Sequence, residues 1–434
     1  MSPATNPRSA SKPLNDRPES VSFFNYQNGQ LYLEQVQLND VVARFGTPCY
    51  VYSKACIEAN FAQYRTALAH RNHKILYAVK ANSNLAILQL LAKAGAGFDI
   101  VSGGELARVL MAGGNAADTA FAGVGKTRAE IEYALAQGIG CFNVESTNEL
   151  KLLSQVATAM GRTAPIAIRI NPDVDPKTHP YIATGLRENK FGIPIDDGLE
   201  VYRLARSLPG LEITGVCCHI GSQLTDLTPY LDAVSRVISL VDSLAADGIH
   251  LHHLDVGGGV GIGYVEDAPK LSVGEFCAAM DKLVDRRLAL HMEPGRSIVG
   301  AAGTLLTEVV YLKQAPERRF AVVDAAMNDL MRPALYQAWH RIVPLTQRND
   351  DGVDYDIVGP VCESADVLGR SRRLAIAEGD CLAILDAGAY GFVMASNYNT
   401  RPRPPEVLVD GGRANLVRQR EQFDDLVRGE QLLG

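Results

Sequence analysis

The sequence predicts an α/β protein, a (β/α)8 barrel of the TIM type with a second, C-terminal antiparallel β domain. Three observations carry this. Short β-branched runs alternate with Ala/Leu-rich stretches of helical period from residue 47 to residue 298. The helical rhythm fades after residue 299, where extended runs punctuated by Gly and Pro take over. Polar, glycine-rich segments follow several of the apolar runs directly. Repeated strand–helix alternation argues for parallel βα units, and eight or nine of them match a barrel. A doubly wound open sheet is the alternative that the alternation alone leaves open.

Taken in order, residues 1–20 hold four prolines and four serines and read as a disordered tail without the apolar core of a signal peptide. Residues 21–46 alternate like strands and turns, with Asn28-Gly29 as a hairpin signal, and are expected to join the β domain. The candidate barrel strands are 49–53, 74–79, 98–101, 119–123, 141–144, 166–170, 214–220, 252–256 and 290–294. Residues 299–434 supply the β domain.

Composition narrows the function classes. Of 434 residues, 47% are hydrophobic and 21% charged, an ordinary globular balance. Lys+Arg 42 against Asp+Glu 49 leaves −7, so nothing draws the chain to nucleic acid or to an anionic membrane. No apolar stretch is long enough for a membrane span. The eight cysteines form no C-x-x-C pair, and reduced thiols in the cytoplasm are the expectation.

The chemistry lies where strands end. Lys80, Ser222 with His219, Gly257–Gly259, and Glu293 with Gly295 and Arg296 each follow an apolar run, and in a barrel such positions line one mouth. A lysine at a strand end is partly desolvated, which lowers its pKa and frees the amine for a Schiff base; it could equally reach solvent. The glycines could form a tight turn or let backbone N–H groups approach a phosphate. Glu293 could hold a ring nitrogen protonated or pair with an arginine. His219 could be a satisfied barrel-end histidine or lie flat on a planar cofactor. Cys362, in GPVCESAD, could be an apolar filler or an exposed thiol able to transfer a proton. His250, His252 and His253 precede the glycine loop within a strand, which argues against a metal site. Together these parts suit pyridoxal 5′-phosphate, which needs an amine, a phosphate cradle, a carboxylate and packing on its ring.

YAVKAN, HIGSQ, DVGGG, EPGR, GPVCESAD and DAGAYG also occur in the order found in fold-type III pyridoxal-phosphate decarboxylases, whose barrel is similar to that of alanine racemase. NPDVDPKTHPYIATGLRENKFGI (171–193), MNDLMRPALY (327–336) and GFVMASNYNTRPRPPEVLV (391–409) resemble the diaminopimelate decarboxylase branch. The resemblance runs from about residue 22 to about residue 420 and implies decarboxylation of meso-2,6-diaminopimelate at its D-centre to L-lysine.

By motif, Lys80 resembles the lysine that links to the cofactor aldehyde, Glu293 the partner of the pyridinium nitrogen and His219 the ring-stacking histidine. Ser222, Gly258, Gly295, Arg296 and Tyr390 resemble the phosphate and cofactor contacts. Arg296, Arg332, Tyr336 and Tyr390 resemble groups on the substrate, the first three at its distal carboxylate, and Glu363 the acceptor for its distal amine. Cys362 resembles a proton donor contributed by the partner subunit, which implies a homodimer with shared sites. The LRENKFGI segment resembles a loop near the active-site entrance. A decarboxylase of arginine, ornithine or lysine would lack use for the two arginines, and a non-catalytic homologue would have lost Lys80 or Cys362.

Overall fold

The structure, a computed structural model, describes residues 23–175, 185, 189–265 and 271–434. The chain opens with an antiparallel meander of β1 (Phe24–Gln27), β2 (Gln30–Leu33) and β3 (Val36–Gln37). Asn28 and Gly29 both take positive φ, 51° and 76°, as a two-residue hairpin loop requires. The meander remains a sheet of its own. It reaches the β domain through its apolar face, where Leu31, Leu33 and Val36 pack with Val51, Leu306 and Leu345, and through one bridge, Gln30 to Thr346.

The next strand, β4 (Cys49–Ser53), departs from its expected place in the barrel. It lies inside the second sheet, antiparallel to one strand and parallel to another. All five of its residues are buried. Burial on both faces is the pattern of a parallel barrel strand, but here the barrel covers one face and the meander the other.

The barrel is built from β5 (His73–Ala78), β6 (Gly97–Ile100), β7 (Thr119–Phe121), β8 (Cys141–Val144) and β9 (Ala164–Asn171), with the two-residue β10 (Ile193–Pro194) alongside β9. β11 (Leu211–Cys217), β12 (His253–Asp255) and β13 (Ala289–Met292) complete it. Each neighbour pair is parallel and β13 closes on β5, so eight strands make the ring. Strand-end serines and threonines start the following helices: Ser102 caps Gly103–Met111, Thr127 caps Arg128–Gln137 and Ser146 caps Thr147–Ala159. Each such cap is worth about 1 kcal/mol.

The second sheet comprises β14 (Gly303–Gln314), β15 (Arg319–Val323), β16 (Ile342–Pro344), β17 (Val353–Val358), β18 (Val367–Leu374), β19 (Cys381–Ile384), β20 (Glu406–Asp410) and β21 (Arg413–Arg418), with β4 between β14 and β20. Its pairings are antiparallel except β15–β17 and β4–β20. The two halves meet at glycines. A Cβ on Gly388 would lie 1.9 Å from the Val299 carbonyl oxygen, so only glycine lets the segment before Tyr390 reach the barrel mouth. There the Tyr390 N–H donates to Ala81 O at 2.8 Å, and Asn82 Nδ2 donates to Gly388 O at 3.1 Å. No helix of the described residues is long and apolar enough to cross a membrane.

Candidate active site

Lys80 sits in a single 3-10 turn, Val79–Ala81, directly after β5. Its Nζ lies 2.7 Å from Asp99 Oδ2, at the end of the adjacent β6. The side chain is about a third exposed, toward the mouth, whereas Asp99 is fully buried. The expected depression of the lysine pKa does not occur in this arrangement. Burial lowers it, but the carboxylates of Asp99 and Glu293 outweigh burial and hold the ammonium above its usual value.

Glu293 follows β13, and Pro294 locks it across β5 through the hydrogen bond from Ala78 N to Pro294 O at 3.0 Å. Asn143 Nδ2 donates to Glu293 Oε1 at 3.1 Å. Burial and the neighbouring Asp255 push the Glu293 carboxyl well above its usual range. Burial likewise pushes Asp255 to about 7, although Gly257 N–H donates to its Oδ1 at 2.8 Å. Two carboxyls this close share a proton.

Gly258 is pressed against β13: a Cβ there would stand 2.0 Å from Glu293 O. Its N–H donates to His219 Nδ1 at 3.2 Å, which leaves the other ring nitrogen carrying the proton. Burial, with Arg169 and Lys80 nearby, keeps His219 neutral, well below its ordinary pKa. A Cβ on Gly295 would meet Ala81 Cβ at 2.9 Å, so the EPGR turn passes directly beside the lysine turn. Ser222 Oγ accepts from Arg296 Nη2 at 3.2 Å.

Arg296 and Arg332 are both buried, and neither has a carboxylate partner among the described residues. Their guanidinium carbons stand 5.8 and 4.4 Å from the centroid of the Tyr264 ring. Arg296 also lies 4.8 Å over Tyr390 and donates to Tyr264 Oη at 2.6 Å. Burial and the charge of Arg296 hold the Arg332 pKa below its usual value. Tyr336 is within electrostatic reach of both.

The chain thus gathers Lys80, His219, Ser222, Gly258, Glu293, Gly295, Arg296, Arg332, Tyr336 and Tyr390 around the barrel mouth. Cys362 and Glu363 stand apart on an exposed loop of the β domain. Cys362 N donates to Asn399 Oδ1 at 3.0 Å, and Tyr398 Oη donates to Glu363 Oε1 at 2.8 Å. Residues 186–188 of the LRENKFGI segment fall outside the described residues, as does the 1–20 tail. His253 stacks on His291 at 4.3 Å.

Comparison with known proteins gives the family. Residues 54–300 match the family model "Pyridoxal-dependent decarboxylase, pyridoxal binding domain", which begins just after β4. The chain is 54% identical over 415 residues to the diaminopimelate decarboxylase of Vibrio cholerae serotype O1, covering 95% of this chain and all of that protein.

The chain belongs to the diaminopimelate decarboxylase family.

A further relative, from Pseudomonas aeruginosa, is 55% identical over 410 residues, covering 94% of this chain and 99% of its own. The solved diaminopimelate decarboxylase of Helicobacter pylori, complexed with L-lysine, superposes with TM-score 0.87 at 43% identity, covering 90% of this chain and 98% of that one. A lysine decarboxylase from Selenomonas ruminantium superposes with TM-score 0.76 at 26% identity, covering 86% and 95%.

Like its family, the chain is a pyridoxal-phosphate-dependent decarboxylase, and the residues present fit that cofactor. The mouth offers one amine for its aldehyde, a carboxyl pair at Glu293 for its ring and a neutral imidazole for stacking. Asp99 Oδ1, beside the lysine, is buried with no hydrogen-bond partner.

Asp99, Asn143, Asp255, Tyr264 and His340 belong to the site and escaped the sequence reading. Asp99 and Asp255 close strands just as Lys80 and Glu293 do, and strand-end position was the signal that could have found them. Tyr264 and His340 carry no such mark.

Proposed function

We propose that this enzyme removes the carboxylate at the D-centre of meso-2,6-diaminopimelate, releasing CO2 and L-lysine. The observation that carries the substrate is the pair of buried guanidiniums, Arg296 and Arg332, without a carboxylate partner among the described residues. A buried unpaired cation is costly, and two at the same mouth as the catalytic lysine suit a ligand carrying a second carboxylate. Ornithine, arginine and lysine have none.

Pyridoxal phosphate, when bound, supplies a sink for the electron pair left as CO2 departs. Lys80 would hold it covalently, with Ser222, Gly258, Gly295, Arg296 and Tyr390 as its further contacts. Glu293, kept from full ionisation by burial and by Asp255, would hold a proton against the cofactor's ring nitrogen. His219, neutral and fixed through Nδ1 by Gly258, packs without adding charge. Arg296, Arg332 and Tyr336 orient the substrate by its distal carboxylate.

Cys362 delivers a proton to the α-carbon and Glu363 accepts the distal ammonium, both from the second subunit of a homodimer. Their exposure, on a loop whose neighbours Tyr398 and Asn399 lie outside the Lys80 cluster, supports a site completed by another copy. Work in the cytoplasm is supported by the eight free cysteines.

The test is release of CO2 from meso-diaminopimelate, ornithine, arginine and lysine under one set of conditions. Turnover of the first alone is expected. Comparable turnover of lysine would overturn the reading.

A further inference from the structure

One buried side chain beside the arginine pair has no part in the scheme above. His340 is fully buried. Its Nδ1 lies 2.9 Å from the Leu385 carbonyl oxygen and its Nε2 lies 2.8 Å from Arg332 Nη1. A carbonyl only accepts, so the ring proton sits on Nδ1 and Nε2 presents its lone pair to the guanidinium. A second proton would set N–H against N–H. Burial first, and then the charge of Arg332, hold the imidazole down at about 3.

His340 is the sole polar side chain hydrogen-bonded to Arg332 among the described residues. Arg332 also covers the face of the Tyr264 ring at 4.4 Å, and that ring meets the His340 ring nearly perpendicular, at 5.3 Å and 76°. Imidazole and phenol ring together fix where the guanidinium points. Arg169 makes the contrast. It is aimed by a carboxylate, Glu145 at 2.8 Å, and its charge is cancelled within the chain. Arg332 is aimed by a neutral group, and its charge is left whole.

We propose that His340 is a specificity-determining positioning residue, a neutral acceptor that aims Arg332 at the distal carboxylate of the substrate without cancelling its charge. This rests on the substrate assigned under Proposed function. A carboxylate in its place would form an ion pair with Arg332, and the substrate would have to displace it.

The experiment compares two side chains of one shape. His340→Gln and His340→Glu are loaded with cofactor and assayed with meso-diaminopimelate. KM for the Gln variant should stay within about threefold of the parent. KM for the Glu variant should rise by about tenfold or more, with kcat in both within about threefold, the signature of lost binding common to ground and transition states. A purely structural role would move both variants together, so equal KM values for Gln and Glu overturn the proposal. Should the Glu variant fail to fold, His340→Leu fills most of the space without an acceptor. Its KM should then exceed that of the Gln variant by about threefold or more, and equality again overturns the proposal. The parent is measured first. If it releases no CO2 from meso-diaminopimelate, the substrate assignment falls and this inference with it. If it does and Gln equals Glu, the role of His340 alone falls.

Discussion

Around Lys80, charge is settled within the chain. The lysine meets Asp99, Arg169 meets Glu145, and Glu293 is bonded to Asn143 and crowded by Asp255. A short way across the mouth, Arg296 and Arg332 are as deeply buried, yet their neighbours are tyrosine rings, a serine and a neutral histidine. The first region is finished when the barrel closes. The second carries an unbalanced charge into the folded state, at a cost in stability, and a carboxylate ligand restores the balance. The contrast separates the part of the site that does chemistry from the part that chooses the substrate.

The largest effect should come from breaking the finished region. Lys80→Ala should lose turnover by about 10⁴-fold or more, the scale on which covalent catalytic groups act. Borohydride reduction of the parent followed by peptide mass mapping should find the phosphopyridoxyl mass on Lys80. An adduct on another lysine would displace the assignment.

The unbalanced region should govern choice rather than rate. Sites built around buried polar groups reject analogues lacking the matching group by roughly 10⁴–10⁵. The ratio of kcat/KM for meso-diaminopimelate over lysine should therefore span several orders of magnitude, and Arg332→Ala should compress it. A ratio unchanged in the variant would mean that Arg332 does not read the distal carboxylate.

Neither region contains Cys362, and mixing subunits tests where it acts. In the homodimer proposed above, the Lys80→Ala and Cys362→Ala proteins should each be nearly inactive. On co-refolding, about half the dimers should be mixed, and each mixed dimer restores one intact site, so roughly a quarter of all sites should regain activity. Confirmed mixed dimers without recovery would place both residues in the same chain's site or remove Cys362 as donor.

The smallest effect concerns the carboxyl pair. Asp255 is raised from its ordinary value to about 7 by burial. A carboxyl raised on folding favours the fold below its unfolded pKa, near 4, and loses that contribution as pH climbs through about 7. Asp255→Asn keeps the acceptor for Gly257 N–H and removes the titration. In the cofactor-free protein it should raise the melting midpoint by roughly 2–5 °C at pH 8 and by less at pH 5. A larger gain at pH 5 would contradict the shared proton.

The sequence disclosed the barrel because strand ends announce themselves: Lys80, Ser222, Gly258 and Glu293 each follow an apolar run, and the structure brings them to one mouth. What it concealed depends on pairing. The raised Lys80 pKa is hidden because Asp99 reaches it only when β6 lies beside β5. The place of β4 is hidden because burial on two faces has one signature, whichever layers supply it. Tyr264 and His340 were silent because their roles come from neighbours far along the chain, Arg296, Arg332 and the Leu385 carbonyl.

The position of β4 also orders events during synthesis. Tyr50 leaves the ribosome early, yet its two sheet partners, Leu305 and Glu406, are made after the whole barrel. The barrel can close with β4 still waiting as an apolar strand with two open edges, the kind of segment on which nascent chains aggregate. A chain cut short before Glu406 would keep one of those edges open for good. Yield of soluble protein should therefore fall sharply when the last strands are removed, even though every barrel residue of the site remains.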